Sequence, residues 1–449
     1  MHTGQEIYDL CVELFPICRS ITGNGVRETL QILQQHLPDL KIVEVPSGTP
    51  AFDWIVPKEW AINDAYVIDP HGNKIIDFKQ SNLHVVGYSS PVNKSVSLEE
   101  LENHLHSLPD QPDAIPYVTS YYQERWGFCL PHKQRQTLIA GDYQVFIDSS
   151  HTQGYLTYGE LILPGEQPDE VFISTYICHP SMANNELSGP AVTTFIGKWL
   201  MAQKKRRYTY RIIFIPETIG SIVYLSHNLS SMKENIQAGF NITCIGDDRS
   251  FSYLASRYGK TLADRVICHV LSHLHPDFKL YSYLDRASDE RQYCSPGVDL
   301  PVASLMRTKY GEYPEYHTSL DNLELITPSG LFGGYEALKL CIECLENNVT
   351  PKLINLCEPQ LGRYGLYPTL STKESRTIVR DMMNLIAYCD GSNDLLEIAE
   401  MINVPMWTLF GLVDQLEQSH IIEQVHTIKL PKSSKRKPRP AKRFRRSSN

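Results

Sequence analysis

Three stretches place chemistry-bearing side chains directly after runs of apolar, β-branched residues, and a fourth places one on a loop between the last strand and the last helix. His179 follows VFISTYIC, with Asn185 and Glu186 a few residues on. Glu217 follows RIIFIP, Asp247 follows FNITCIG, and His317 stands in EYHTSLDN ahead of a helical stretch. Imidazole nitrogens and carboxylate oxygens are the ligands of a zinc site that keeps one position open for water. Zinc held that way activates the water. Taken singly, each residue has a plainer role: a histidine bonded to backbone, or a carboxylate capping the next helix. Four of them at the ends of strands, two histidines and several carboxylates, favour a metal centre with a position open for water. A fifth cluster, SYLDRASDERQY at 282–293, carries Asp289, Glu290 and Arg291. These are either a solvated loop or the groups that hold a charged end of the substrate and orient a ligand. Tyr316, in YGEYPEYH, suits the wall of a pocket.

The elements that must position these residues follow from periodicity. Strands are expected at 171–177, 210–216, 239–246, near 279–284 and at 301–307. Helices are expected at 190–204, 219–229, 261–274 and 329–346. That alternation predicts a mostly parallel sheet covered by helices, with ligands at the carboxyl ends of its strands. Residues 3–37 predict two helices around the turn-rich RSITGNG. The stretch 45–130 has a different texture, with short strands broken by Pro, Gly, Asn and Asp, and DPHGN as a hairpin turn. Within it SLEELENHLHSL, at 97–108, reads as a polar amphipathic helix. After 355, three helices with short links and a terminal β element make a winged-helix pattern.

Composition narrows the classes. A chain of 449 residues exceeds one ordinary hydrophobic core, so two or three domains are expected. No apolar run reaches the roughly 18 residues of a membrane span, and no secretory signal is expected. Eleven scattered cysteines without a CxxC pair predict reduced thiols and a cytoplasmic setting. The formal charge is -9, yet residues 431–449 hold nine Lys or Arg and no acid. The rest of the chain is therefore twice as negative as the whole, and the tail is expected to be a disordered, solvated extension. Helix 405–418, PMWTLFGLVDQLEQ, has no Lys or Arg, which argues against reading DNA grooves and against nucleic acid as a partner.

The segments STYICHPSMANNELSG, IIFIPETIGS, ITCIGDD and YHTSLDN, in this order, resemble the zinc aminopeptidase clan of the M28 type. The closer likeness is to a prokaryotic aminopeptidase-like family with an inserted β-rich domain and a carboxyl-terminal winged helix. The resemblance spans nearly the whole chain to about residue 430. It implies a phosphorylase/hydrolase-like α/β/α domain from 1–44 and 131–350, interrupted by a β-rich insert at 45–130. A winged-helix domain at 355–430 and the basic tail at 431–449 complete the expected organisation. It further implies exopeptidase-type hydrolysis with His179 and His317 as ligands and Glu217 as general base.

The family's bridging aspartate falls on Asn185, its ligand glutamate on Thr218 and a later aspartate on Thr243. A pair of zinc ions needs a bridging anion, so these neutral residues imply one zinc per chain, held by His179 and His317 with Glu217, Glu186 or Asp247 completing the site. The expected substrate is a small peptide or related amide, attacked by a zinc-activated water. The competing expectation is a binding or assembly protein whose pocket captures a small amine- or carboxylate-bearing ligand. Any homo-oligomer is expected to form through the insert or the winged helix.

Overall fold

The apolar runs ahead of His179, Glu217 and Asp247 become neighbouring strands of one eight-stranded sheet. A computed structural model of the chain describes residues 2–366 and 373–425, the side chains of 373–376 excepted. The described residues fall into two units, one ending at Glu346 and one starting at Asn347. The large sheet of the first unit comprises β1 (Lys41–Pro46), β2 (Tyr155–Leu163), β3 (Glu170–Tyr176) and β4 (Thr209–Ile215). It continues with β5 (Ile236–Ile242), β6 (Ser252–Leu254), β7 (Lys279–Tyr281) and β8 (Val302–Met306). The order across it is β1-β2-β4-β3-β5-β8-β6-β7.

The four central strands β4, β3, β5 and β8 run parallel. Their carboxyl ends therefore open at one edge. From β3 the chain steps to β4 on one side and then returns to β5 on the other. This reversal leaves a crevice at the end of β3, where ligands of open α/β sheets bind. His179 lies there. Every residue of β3 is buried, as a strand covered on both faces requires.

Helices supply the cover: α1 (His2–Leu14), α2 (Asn24–His36), α3 (Ser188–Ala202), α4 (Ile219–Asn235), α5 (Leu262–Leu274) and α6 (Pro328–Glu346). Ile7, Leu10, Cys11 and Leu14 recur at helical spacing and are the buried stripe of α1, which packs on α3 and α6. On the other face Ile219, Ile222 and Val223 of α4 cluster with Ile213, Ile215 and Phe172. Each such side chain contributes about 1.5–3 kcal/mol on burial. Gly189 opens α3 where nothing larger fits. A Cβ there would lie 2.5 Å from Thr175 Oγ1 and 2.6 Å from the Ile242 carbonyl oxygen. The start of α3 thus presses against β3 and β5, which holds the loop between His179 and Ser188 in place.

The expected strands and helices appear with shifted ends. α4 runs to Asn235, beyond the expected 229, and β6, with three residues, is too short to show an alternation. The segment 97–108 is helical only over Leu98–Glu102 and then becomes the short strand Leu105–His106. A four-stranded antiparallel sheet orders Lys74–Asp77, Glu59–Ile68, Asp142–Thr152 and Val92–Ser97 over a core of Ala65, Val67, Phe128, Val145 and Ile147. One strand of this sheet comes from beyond residue 130. Asp142–Thr152 turns alternate residues into that core and pairs with Glu59–Ile68.

The second unit contains α7 (Lys373–Ala387), α8 (Leu395–Ile402) and α9 (Phe410–Gln418). Asp394 and Glu397 form a reciprocal cap on α8. The final strand, Ile422–Gln424, pairs antiparallel with Pro351–Leu353, which precedes the helices. The basic tail at 431–449 lies outside the described residues. No single helix among the described residues is long and apolar enough to cross a membrane. All eleven cysteines are free thiols.

Candidate functional site

His179 stands three residues past β3, and its imidazole is fixed from behind. Glu186 Oε2 lies 2.8 Å from His179 Nδ1. Arg19, fully buried, donates from Nε to the His179 carbonyl oxygen at 2.9 Å and lies 3.5 Å from Glu186 Oε1. A carboxylate on one ring nitrogen sets the tautomer and leaves Nε2 with its lone pair toward a ligand. Burial, with help from the Arg19 charge, pulls the His179 imidazole down to about 3, so it is neutral. Burial pushes the Glu186 carboxyl up to about 8 against the pull of Arg19.

His317 faces His179 with ring centroids 5.4 Å apart, and Tyr117 lies 5.2 Å from each ring. The His317 Nε2 is buried without a hydrogen-bond partner. Burial, then the neighbouring His179, pulls it down to about 3. Its backbone adopts φ 56, a left-handed conformation uncommon outside glycine. The insert holds this loop in that shape. Tyr117 N donates to the His317 carbonyl at 2.8 Å, and Ser319 N donates to that of Ile115 at 2.8 Å.

Glu217 follows β4, and its Oε2 is 3.8 Å from His179 Nε2. Directly after it, Ile219 N donates to the Glu217 carbonyl at 2.8 Å around Thr218, whose φ 64 and ψ -78 make the rare, strained γ-turn. Asp289 clamps the turn, accepting at Oδ1 from Thr218 N at 2.7 Å and from Ser221 Oγ at 2.8 Å. Arg291 donates from Nη2 to Thr218 Oγ1 at 2.6 Å. Burial, then the Asp289 charge, pushes the Glu217 carboxyl up to about 8, with Arg291 pulling the other way. Burial holds Asp289 up at about 6.

These groups meet in a cavity of about 340 Å³. His179, His317, Glu217, Thr218 and Arg291 form its polar side, while Trp54, Tyr117, Tyr121 and Tyr122 from the insert form an aromatic side. A second cavity of about 350 Å³ shares Tyr122 and has Lys58, Glu124 and His151 in its wall.

Other expected residues serve the frame. Asp247, expected as a ligand, accepts from Asn184 Nδ2 at 3.0 Å, Arg249 N at 2.8 Å, Thr308 N at 2.9 Å and Thr308 Oγ1 at 2.7 Å. It ties loops together and does not line the cavity. Asn185 donates from Nδ2 to Tyr176 OH at 2.6 Å, and Tyr176 OH lies 2.5 Å from Thr243 Oγ1. Two of the positions where the resemblance called for anions, Asn185 and Thr243, thus join Tyr176 in a neutral, buried hydrogen-bond network. Glu290, expected at the substrate, accepts from Tyr310 OH at 2.7 Å, Asn241 Nδ2 at 3.0 Å and Ser288 N at 3.0 Å. It is wholly buried and structural. Tyr316 stacks on His317 at 3.9 Å and positions that ring instead of lining the cavity.

The sequence reading missed Arg19, Tyr117 and the clamp made by Asp321. The Asp321 carboxylate accepts from the backbone N–H groups of Ala183, Asn184 and Asn185 at 3.1, 2.6 and 2.9 Å. The available signal for Arg19 was a lone charge flanked by Ile17, Cys18 and Ile21. Tyr117 gave none, because its contacts are remote in the chain.

Cys178, His179 and Glu186 bring ligand atoms within 4.8 Å of one another, a set that could chelate a metal ion. Two physical facts weigh against that side of the ring. The Arg19 charge sits on Glu186, and burial pushes the Cys178 thiol well up. The cavity side presents Glu217 and the partnerless His317 nitrogen, a carboxylate and an imidazole of the kinds that bind metal ions.

A family model described as a domain of unknown function, DUF4910, matches residues 8–348, and one described as winged helix-turn-helix matches 348–424. A Clostridium acetobutylicum protein named "putative polysaccharide biosynthesis protein with aminopeptidase-like domain" is 48% identical over 399 residues, covering 88% of this chain and 91% of its own. The crystal structure of a "putative peptidase" from Clostridium acetobutylicum superposes with a TM-score of 0.89 at 45% identity, covering 94% of this chain and 97% of that one. A zinc aminopeptidase from Bacillus subtilis shares the fold at a TM-score of 0.56 and 12% identity, over 76% of this chain and 94% of that one. The chain belongs to the DUF4910 family, built on the M28 zinc-aminopeptidase fold and continued by a winged helix-turn-helix.

Proposed function

We propose that the cavity is the active site of a one-zinc hydrolase that cleaves a peptide or related amide bond with water. The observation that carries this reading is the convergence of two neutral imidazoles and Glu217 at the switch point of the sheet. His179 Nε2 and His317 Nε2 would hold the ion, with Glu186 and Arg19 fixing the first ring and Tyr117 and Tyr316 the second. Zinc so held supplies Lewis acidity toward water and the scissile carbonyl.

The chain's own residues do the rest. Glu217 accepts a proton from the attacking water as the new C–O bond forms, then passes it to the nitrogen as the C–N bond breaks. The γ-turn at Thr218, clamped by Asp289, sets where that carboxylate points. The insert's tyrosines exclude water from one side of the cavity. The hydrogen-bonded network of Tyr176, Asn185 and Thr243 supports one ion over two.

The polysaccharide-biosynthesis naming of the Clostridium relative widens the substrate class to amide-bearing sugars, which aromatic walls suit. The same neutral residues favour a second reading, capture of a ligand without hydrolysis. The free thiols support a reducing, cytoplasmic setting. The test is amide hydrolysis by zinc-loaded protein alongside its Glu217→Gln variant. Turnover that is lost in the variant with zinc retained supports the hydrolase. Turnover by neither, with zinc bound, supports capture.

A further inference from the structure

We infer that the cavity recognises its substrate by a carboxylate, through Arg291, and not by a free amino group. The inference rests on the hydrolase reading for the location of the site and names the substrate class: an N-acylated acid. An aminopeptidase must hold an α-ammonium, and in a cavity that takes a carboxylate. Among the described residues that line this cavity, Glu217 is the sole carboxylate, and proton transfer already employs it. Asp289 is wholly buried and does not line the cavity, and its Oδ1 is taken by Thr218 and Ser221.

The one permanent charge on the wall is the Arg291 guanidinium. Among the described residues, Thr218 Oγ1 is the only acceptor its side chain uses, through Nη2. Its Nε is buried without a partner. A guanidinium offers five N–H donors in a planar fork that matches a carboxylate. With Thr218 Oγ1 its only acceptor among the described residues, the fork has donors left for a ligand carboxylate at the cavity wall. Arg291 shares the wall with Glu217 and Thr218, so a carboxylate on it holds the neighbouring amide beside the base. The aromatic side, Trp54 with Tyr121 and Tyr122, would receive an apolar side chain or the face of a sugar ring.

The geometry therefore fits two sources of one chemistry, an N-acyl amino acid and an acidic N-acyl sugar. The test is calorimetric binding to the zinc-loaded full chain with three probes: N-acetyl-L-phenylalanine, N-acetylneuraminic acid and L-phenylalaninamide. At least one of the two carboxylates should bind more tightly than phenylalaninamide, and which one does so identifies the source. Arg291→Gln should weaken that carboxylate by about tenfold or more, and Arg291→Lys by less. Equal or tighter binding of phenylalaninamide overturns the inference, as does binding of none of the three. Carboxylate affinity unchanged in Arg291→Gln overturns it too, since the metal alone would then be the anchor. The probe comparison in the unmodified chain needs no variant to fold.

The two readings fail separately. A chain that binds carboxylates through Arg291 but cleaves no amide refutes the hydrolase alone. One that cleaves aminoacyl amides and prefers phenylalaninamide refutes the carboxylate preference alone.

Discussion

At the scale of single residues, the site is a neutral histidine pair set among buried charges that hold it from outside. Arg19 illustrates the arrangement, since it bonds the backbone of His179 and lies beside the Glu186 carboxyl that orients the ring. Arg19→Met leaves the buried carbonyl oxygens of His179 and Leu14 without their donor, a loss expected to cost about 1–3 kcal/mol each. Zinc affinity should fall by about 10- to 100-fold as the Glu186–His179 contact loosens. Thermal unfolding and a zinc titration check the two effects.

Glu217 gives a pH-dependent signature in metal-free protein. Its folded carboxyl is raised to about 8 from an ordinary value of 4.5, chiefly by burial. The folded state therefore holds a proton that the unfolded state has lost. Stability from this group is full below about 4.5, declines as pH rises through the window, and levels off above about 8. Glu217→Gln removes the dependence, so its melting temperature should gain on the parent's as pH climbs from 5 to 8. A constant difference across that range would place Glu217 in a solvated setting. With zinc loaded, the same variant should keep the metal and lose about 10²- to 10⁴-fold in turnover.

At the scale of elements, strain is concentrated where the central strands end. Ser181, Thr218, Cys244 and His317 all have positive φ in the loops after β3, β4, β5 and β8. Such backbones cost about 1–3 kcal/mol each and persist because their surroundings impose them. Asp289 imposes the one at Thr218. Asp289→Ala should release the γ-turn and lower kcat by about a hundredfold, with zinc content unchanged. A variant that loses zinc instead would show that Asp289 supports the metal directly.

This scale also separates what the sequence disclosed from what it withheld. β3 and β4 were legible because continuous apolar runs need cover on both faces, and His179 and Glu217 stand at their ends. Asp247 obeyed the same rule yet serves as a loop tie, because a strand end positions a carboxylate without saying which way it points. Which sheet Asp142–Thr152 joins was not legible, because it reads as a strand in either one and only its partner decides. Arg19 and Tyr117 act through contacts remote in the chain, which spacing does not encode.

At the scale of the whole molecule, two units carry different surfaces. In the second, α9 bears Asp414 and Glu417 and no basic residue. A helix with that charge should not confer sequence-specific DNA binding. Duplex binding that persists above about 0.2 M salt would contradict this. In the first, the sheet supplies the imidazoles and the base, while the insert supplies the aromatic wall, so neither alone makes the cavity.

The central claim is one catalytic ion held between His179 and His317. Elemental analysis of protein purified without chelator or added metal tests it most directly, with both histidine-to-alanine variants in parallel. About one zinc per chain is expected in the parent, and little in either variant. Undiminished zinc in both variants would contradict the site, and about two per chain, or none even after zinc is supplied, would contradict the one-metal account.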